Sequence, residues 1–361
     1  MKKKTIVYLA NAANIHTIRW AKYFSTIYEI IIISFEASTI ENVRVITFKK
    51  NGSSLLNYLA AAPKVRSLIK KINPEFIHAH YAGGYGLLAC LSVNIKPFIM
   101  SVWGSDIYIA PHKSFVNRYL LKYILAKADL ICSTSRAMAK ETNKYTTKPI
   151  LITPFGIDCI EYKPLKNKRN KQEIIIGTIK KLHHLYGIDR LLKAFAILKK
   201  TMPESKLKLM IIGDGEQKKI LKSLCNSLGI EDSTIFVGEI AQKEVPKYLN
   251  EFDLFVALSR SESFGVAVLE ASSCELPVVV SDAGGLSEVV LDGKTGFIIP
   301  NGDIEVAATK LQILIKDKIL TAKIGKNGRE FVKKYYSWDQ TALIMKSAYQ
   351  QIITNRSSRL E

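Results

Sequence analysis

The sequence has no long apolar run. Its greasiest stretch, Tyr28 to Phe35, is interrupted by Glu29 and is far below the ~20 residues needed to cross a bilayer. The basic start Met1-Lys2-Lys3-Lys4 leads into only six mostly apolar residues before Asn11. A secretory leader needs about 7–15, so export is not expected. Cysteine is sparse: Cys90, Cys132, Cys159, Cys225 and Cys274 are never closer than 27 positions. That spacing excludes a zinc ribbon or a C-x-x-C redox pair, and the odd count argues against a disulfide framework. Reduced, mostly buried thiols of a cytosolic protein are expected instead.

Acidic residues are scarce relative to basic ones, 32 against 52, for a formal charge of +20. The excess is lopsided: residues 1–160 hold 21 basic and 8 acidic side chains (+13), and residues 161–361 hold 31 and 24 (+7). A basic first half suggests an anionic partner, whether nucleic acid, a membrane surface or a phosphorylated substrate. No helix-turn-helix, zinc-finger or RNA-binding signature accompanies it, so no nucleic-acid partner is expected. A lysine-rich solvated surface is the plainer account of the same charge.

What is present is a globular chain, 48% apolar and long enough for two domains. Short apolar runs alternate with amphipathic stretches. Strands are predicted at Thr5–Ala10, Ile30–Ser34, Val43–Phe48, Phe76–Ala79, Phe98–Val102, Leu130–Ser133 and Ile150–Thr153. Helical patterns at Ser53–Ile72, Tyr85–Val93 and Phe115–Lys127 lie between them. Residues 154–172 read as a linker, with Pro154, Gly156, Pro164 and the basic run Lys166–Lys171. Strands resume at Glu173–Gly177, Lys208–Ile212, Thr234–Val237, Leu254–Ala257, Pro277–Ser281 and Gly296–Ile299, and the last sixty residues read as helix with a break at Tyr335–Trp338. The fold class expected is α/β, two Rossmann-like doubly wound domains with parallel sheets facing an interdomain cleft. The boundaries are 1–160, 161–335 and a C-terminal helix at 336–359 packing back toward the first domain.

Ligands of such sheets bind beyond the carboxyl ends of the strands. After the strand Leu254–Ala257 comes Ser259-Arg-Ser-Glu262-Ser-Phe264-Gly265-Val266-Ala-Val-Leu-Glu270. Gly265 stands where a helix should begin, so unpaired amides and the positive end of the helix dipole offer a phosphate seat. Glu262 in the loop and Glu270 on the helix would both face that ligand; alternatively, one is a charge at the helix start and the other a solvated position.

Two glutamates separated by seven residues, followed by Cys274-Glu-Leu-Pro277 through Gly284-Gly285 to Glu288 and by Asp292-Gly-Lys-Thr-Gly296, resemble the donor-side signature of retaining glycosyltransferases of family four. Gly213-Asp-Gly215, Gly238-Glu-Ile240 and Pro154-Phe-Gly156-Ile-Asp158 resemble further motifs of that family, with Phe155 in place of Asn. The resemblance implies the two-domain GT-B fold and a metal-independent transfer from a nucleotide sugar, UDP-linked, to a glycan acceptor, with no cofactor. It implies ribose contact by Glu270, sugar contact by Glu262 with Phe264 and Gly265, diphosphate contact by the Gly265 and Val266 amides, and base contact near Gly238 and Ile240. Lys180 stands at the family's first diphosphate cation and Tyr186 at its second, a departure that Lys181 or His183 would have to cover. The adjacent His183-His184 pair is not expected to bind metal.

The first domain departs further. Asn14 and His16 in the first loop, His80 after a strand, and Trp103, which replaces the family's usual His, are the acceptor-side candidates. Asp106 or His80 is the polar group left to act catalytically there. The cation-bearing apolar stretches 64–71 and 112–127 suggest peripheral contact with an anionic membrane, at the inner face of the cytoplasmic membrane, where relatives extend polyprenyl-diphosphate-linked glycans. A two-Rossmann epimerase, an inactive nucleotide-binding module and an anion-binding surface protein are the competing readings. Leu360-Glu361 is given no role.

Overall fold

The computed structural model describes residues 3–49, 55–92, 97–165 and 173–357. The basic run 166–171, the first two residues of the helix expected from Ser53, Val93 and the Leu360-Glu361 end lie outside them. The chain divides into two compact units, one comprising residues up to Phe155 together with those from Ala342 onward, the other Gly156–Thr341. The last helix, Trp338–Ser357, therefore contributes to both.

The first unit holds β1 (Thr5–Leu9), β2 (Glu29–Ser34), β3 (Arg44–Thr47), β4 (Phe76–His80), β5 (Phe98–Val102), β6 (Leu130–Ser133) and β7 (Ile150–Ile152). They form one sheet in the order β3-β2-β1-β4-β5-β6-β7, with every pairing parallel. The central strands are buried on both faces, which is why they read as continuous apolar runs rather than alternating ones. The order reverses between β1 and β4, so the loops after these two strands flank the switch point.

The second unit holds β8 (Ile174–Ile179), β9 (Leu207–Ile212), β10 (Thr234–Gly238), β11 (Leu254–Ala257), β12 (Val278–Ser281) and β13 (Gly296–Ile299). Their order is β10-β9-β8-β11-β12-β13, again parallel throughout. Here the switch point lies between β8 and β11. β8 runs two residues further than expected, to Ile179, and this brings Lys180 to the strand's carboxyl end. Helix Ile188–Thr201 buries Leu191, Leu192, Phe195 and Leu198 at helical spacing against this sheet.

Helix boundaries follow capping chemistry. Asn14, Ser114, Ser135, Asp303 and Asp317 each accept a hydrogen bond from a first-turn amide. Ser114 starts the helix Phe115–Lys127 where the sequence pattern places it, and His112 and Lys113 belong to a separate turn, Ala110–Lys113, before it. Among the described residues no helix is long and apolar enough to cross a membrane. Of the five thiols four are buried and Cys159 is partly exposed, all unpaired.

Candidate active site

In the second unit the carboxyl ends of β8, β9 and β10 are tied together through their backbones. Gly213, at φ +133°, lies against the Lys180 carbonyl so closely that a Cβ would collide with it. The Gly213 amide donates to Gly238 O at 2.8 Å, and the Leu182 amide to Asp214 O at 2.9 Å. Gly238, at φ +93°, has open space where a Cβ would stand, and Ile240 two residues on is half-buried.

The loop after β11 is held just as firmly. The Glu262 carbonyl accepts from the Gly285 amide at 2.9 Å, and Gly284, at φ +58°, leaves no room for a side chain beside that carbonyl. Phe264 is buried with its ring 5.8 Å from that of Tyr336, whose hydroxyl donates to Glu288 O. Gly265, at φ +111°, turns the chain into helix Val266–Ser273, whose first amides have no carbonyl four residues back to bond. Glu270 on this helix is 6% exposed and Glu262 is 9% exposed. Neither is a solvated carboxylate.

Lys180 and Glu262 are brought together. The ammonium forms an ion pair with Glu262 Oε2 and lies 4.8 Å from the centroid of the Tyr186 ring. Burial works against the ammonium charge, but the carboxylates of Glu262 and Glu270 and the Tyr186 hydroxyl outweigh it and hold the Lys180 pKa above its ordinary value. Lys181 is exposed. His183 accepts from the Leu185 amide through Nδ1 and turns Nε2 toward Glu216 at 3.5 Å.

Sequence reasoning missed how the Tyr186 turn is held. Arg260 grips Asp189 through two hydrogen bonds, donates to His184 O, and its amide reaches Leu185 O at 2.7 Å. Arg190 donates to Asn301 Oδ1 at 2.6 Å, and Asn301 donates back to Arg260 O. These partners are 41 to 111 positions apart, and no local motif announces them.

In the first unit Asn14 caps helix Ile15–Ser25 through the His16 amide at 2.9 Å. The His16 ring stacks on Phe155, 3.8 Å between centroids and 11° from parallel, and Trp103 meets both edge-on. Burial, with Arg19 adding to it, lowers the His16 pKa to about 3. His80 lies 4.5 Å from Trp103 and shares Nδ1 with the Thr17 hydroxyl at 3.3 Å. Its Nε2 is buried with no partner among the described residues. His78 is fully used, between Tyr349 and Ser101 at 2.8 Å each, and Tyr349 also reaches Tyr8.

Asp106 stands differently from its expected role. Its carboxylate accepts from the amides of Ala82, Trp103 and Gly104 and has no exposed surface. Burial raises its pKa while those amides oppose the rise. It organises the loops after β4 and β5, and presents no oxygen to solvent.

Two family models cover the two units. Residues 160–331 match "Glycosyl transferases group 1" and residues 5–135 match "Glycosyl transferase 4-like". The chain is a group 1 glycosyltransferase of the family-four type. It is 26% identical over 308 residues to N-acetyl-alpha-D-glucosaminyl L-malate synthase of Bacillus anthracis, across 82% of this chain and 79% of that one. In fold it is similar to sucrose-phosphate synthase of Thermosynechococcus elongatus, with a TM-score of 0.85 at 19% identity, covering 98% of this chain and all of that one. Anabaena HepE in complex with UDP-glucose gives 0.80 at 21% identity over 98% and 99%. These likenesses establish the GT-B fold of this group 1 enzyme.

Proposed function

We infer that this glycosyltransferase moves a hexosyl or N-acetylhexosaminyl group from a UDP-sugar to a surface-glycan acceptor, with retention and without a metal. The observation that carries the reading is the meeting of Lys180, Glu262 and the start of helix Val266–Ser273 at one switch point. Breaking the anomeric C–O bond leaves negative charge on the diphosphate. A lysine and a helix N-terminus aimed at it stabilise the transition state more than the ground state. The sugar becomes oxocarbenium-like, and Glu262, Phe264 and Gly265 hold it while Glu270 holds the ribose. In this reading the acceptor hydroxyl attacks from the leaving-group face and a phosphate oxygen takes its proton. The half-buried rings of His16 and Trp103, with the buried Phe155 and His80, are assigned to the acceptor.

The acceptor in this reading is linked to a polyprenyl diphosphate, and the enzyme works as a peripheral protein on the inner face of the cytoplasmic membrane. Helix Phe115–Lys127 supports this. It buries Leu121, Ile124 and Leu125 and turns Phe115, Val116 and Tyr119 outward among Arg118, Lys122 and Lys127. Acceptor-dependent release of UDP from a panel of UDP-sugars, with the product's anomeric configuration read by NMR, tests the reaction. No acceptor-dependent release, an inverted product, or loss of turnover in EDTA that Mn²⁺ restores would each overturn the corresponding part.

A further inference from the structure

The Lys180–Glu262 pair occupies the place where a donor would be expected. The two side chains are 12% and 10% exposed, so each charge depends on the other. Removing one partner of such a pair leaves an uncompensated buried charge, which is strongly unfavourable. Tyr186 covers the ammonium from another side. At the position where the family resemblance places a second diphosphate cation, this chain has a ring. The neighbouring substitutes are poorly disposed, since Lys181 is exposed and His183 is engaged with the Leu185 amide and Glu216. A diphosphate seated at the amides of Gly265 and Val266 therefore has Lys180 as its buried cation, and it competes with Glu262 for that ammonium.

We propose that Lys180 exchanges between Glu262 and the donor diphosphate, so that the site holds an intact nucleotide sugar but releases the bare nucleotide. The inference rests on the donor-site reading above. With a nucleotide sugar bound, a sugar hydroxyl donates to Glu262 as the ammonium leaves it, and the carboxylate stays compensated. With the nucleotide diphosphate alone no hydroxyl is offered. Glu262 is then stranded, reclaims Lys180 and weakens the product's hold. Tyr186 is the positioning residue of this exchange: its turn is fixed by Arg260 and by Gly187, which at φ +62° lies against Leu258 O. Its ring keeps the ammonium near both anions while supplying no competing charge.

The test is calorimetric titration of wild type and Glu262→Gln with UDP, with GDP, and with UDP-glucose. The glutamine keeps the shape and removes the competing charge. UDP or GDP should bind the variant at least about tenfold more tightly than wild type, and UDP-glucose should gain less. A carboxylate that only touches the sugar would leave nucleotide affinity unchanged, and a pair that merely shapes the site would leave it weaker on mutation. Either result overturns the exchange. Glu262→Asp, which withdraws the carboxylate by one methylene, should give an intermediate tightening, and thermal unfolding of both variants checks that they fold. If no nucleotide binds wild type or either variant, the donor-site reading falls and the exchange with it. Nucleotide binding of equal strength to all three removes the exchange alone.

Discussion

The Arg260 guanidinium meets the Asp189 carboxylate through two parallel hydrogen bonds, Nη1 to Oδ1 at 2.8 Å and Nη2 to Oδ2 at 2.6 Å. The pair joins the loop carrying Glu262 to the start of the helix that follows the Tyr186 turn. The planar fork suits this geometry, and an ammonium cannot reproduce it.

Arg260→Ala should therefore lower stability by about 1 kcal/mol, since the pair is bidentate but partly solvated. Arg260→Lys should recover little. A double-mutant cycle with Asp189→Asn in urea should show coupling of similar size, and additivity would mean the pair contributes nothing. Burial tends to raise the Asp189 pKa, but Arg260 outweighs it and leaves it lowered. A depressed carboxylate stabilises the fold above its unfolded value of about 3.9 and loses that contribution as pH falls below it. The coupling should fade in that acid range and be constant above about pH 5.

The imidazoles of buried His78 and half-buried His16 act in a different window. Burial lowers the His78 pKa to about 3, and the same cause, with Arg19, brings His16 to about 3. The unfolded chain binds these protons near pH 6.5 and the folded one does not. Their depressed values leave stability fully present above about 6.5 and progressively lost as pH falls toward 3. Each group contributes a slope of up to about 1.4 kcal/mol per pH unit in between. Unfolding free energy measured from pH 7 to 5 should fall accordingly, and His78→Gln should flatten the slope by one group's worth. An unchanged slope would mean that His78 charges freely in the folded protein.

Much of the fold was legible because both sheets are parallel. Central strands buried on both faces appear as unbroken apolar runs, such as Ile30–Ile33 and Val278–Val280, and all thirteen expected strands are observed. The candidate donor-site residues could be picked out because Glu262, Gly265 and Glu270 lie within one short loop and helix. Contacts that close over long separations were not. Tyr349 reaches His78 across 271 positions and Arg260 reaches Asp189 across 71, and no periodicity encodes such pairs. The amide partners of Asp106 were not legible, because a carboxylate after a strand has the same appearance in sequence whether it faces a ligand or accepts from its own loop's amides.

Glu270 provides a direct check on the proposed nucleotide site. It is 6% exposed on the first turns of the helix that Gly265 starts, so a ribose hydroxyl donating to it would form a charge-assisted bond away from bulk water. Glu270→Ala should weaken UDP binding by roughly 1–3 kcal/mol. Calorimetry should show the loss without a matching fall in melting temperature. Equal UDP affinity in the variant would take Glu270 out of the site.

The outward face of helix Phe115–Lys127 makes the membrane proposal testable residue by residue. Phe115, Val116 and Tyr119 are 82%, 64% and 67% exposed, an unusual display of adjacent large apolar groups. Arg118, Lys122 and Lys127 accompany them, and the helix contains no acidic residue. Aromatic groups insert at a bilayer interface while each cation near an anionic surface adds about 1 kcal/mol, fading over a Debye length of about 8–10 Å. The protein should sediment with vesicles containing anionic lipid, come off as salt is raised, and ignore neutral vesicles. Replacing Lys70, Lys71, Lys122 and Lys127 by Gln should remove the salt-sensitive part of the binding. Phe115→Ser with Tyr119→Ser should weaken what persists at high salt. Both sets should keep UDP affinity, because the residues proposed to hold the nucleotide belong to the other unit. Equal sedimentation with neutral and anionic vesicles, or none with either, would favour an acceptor taken from solution.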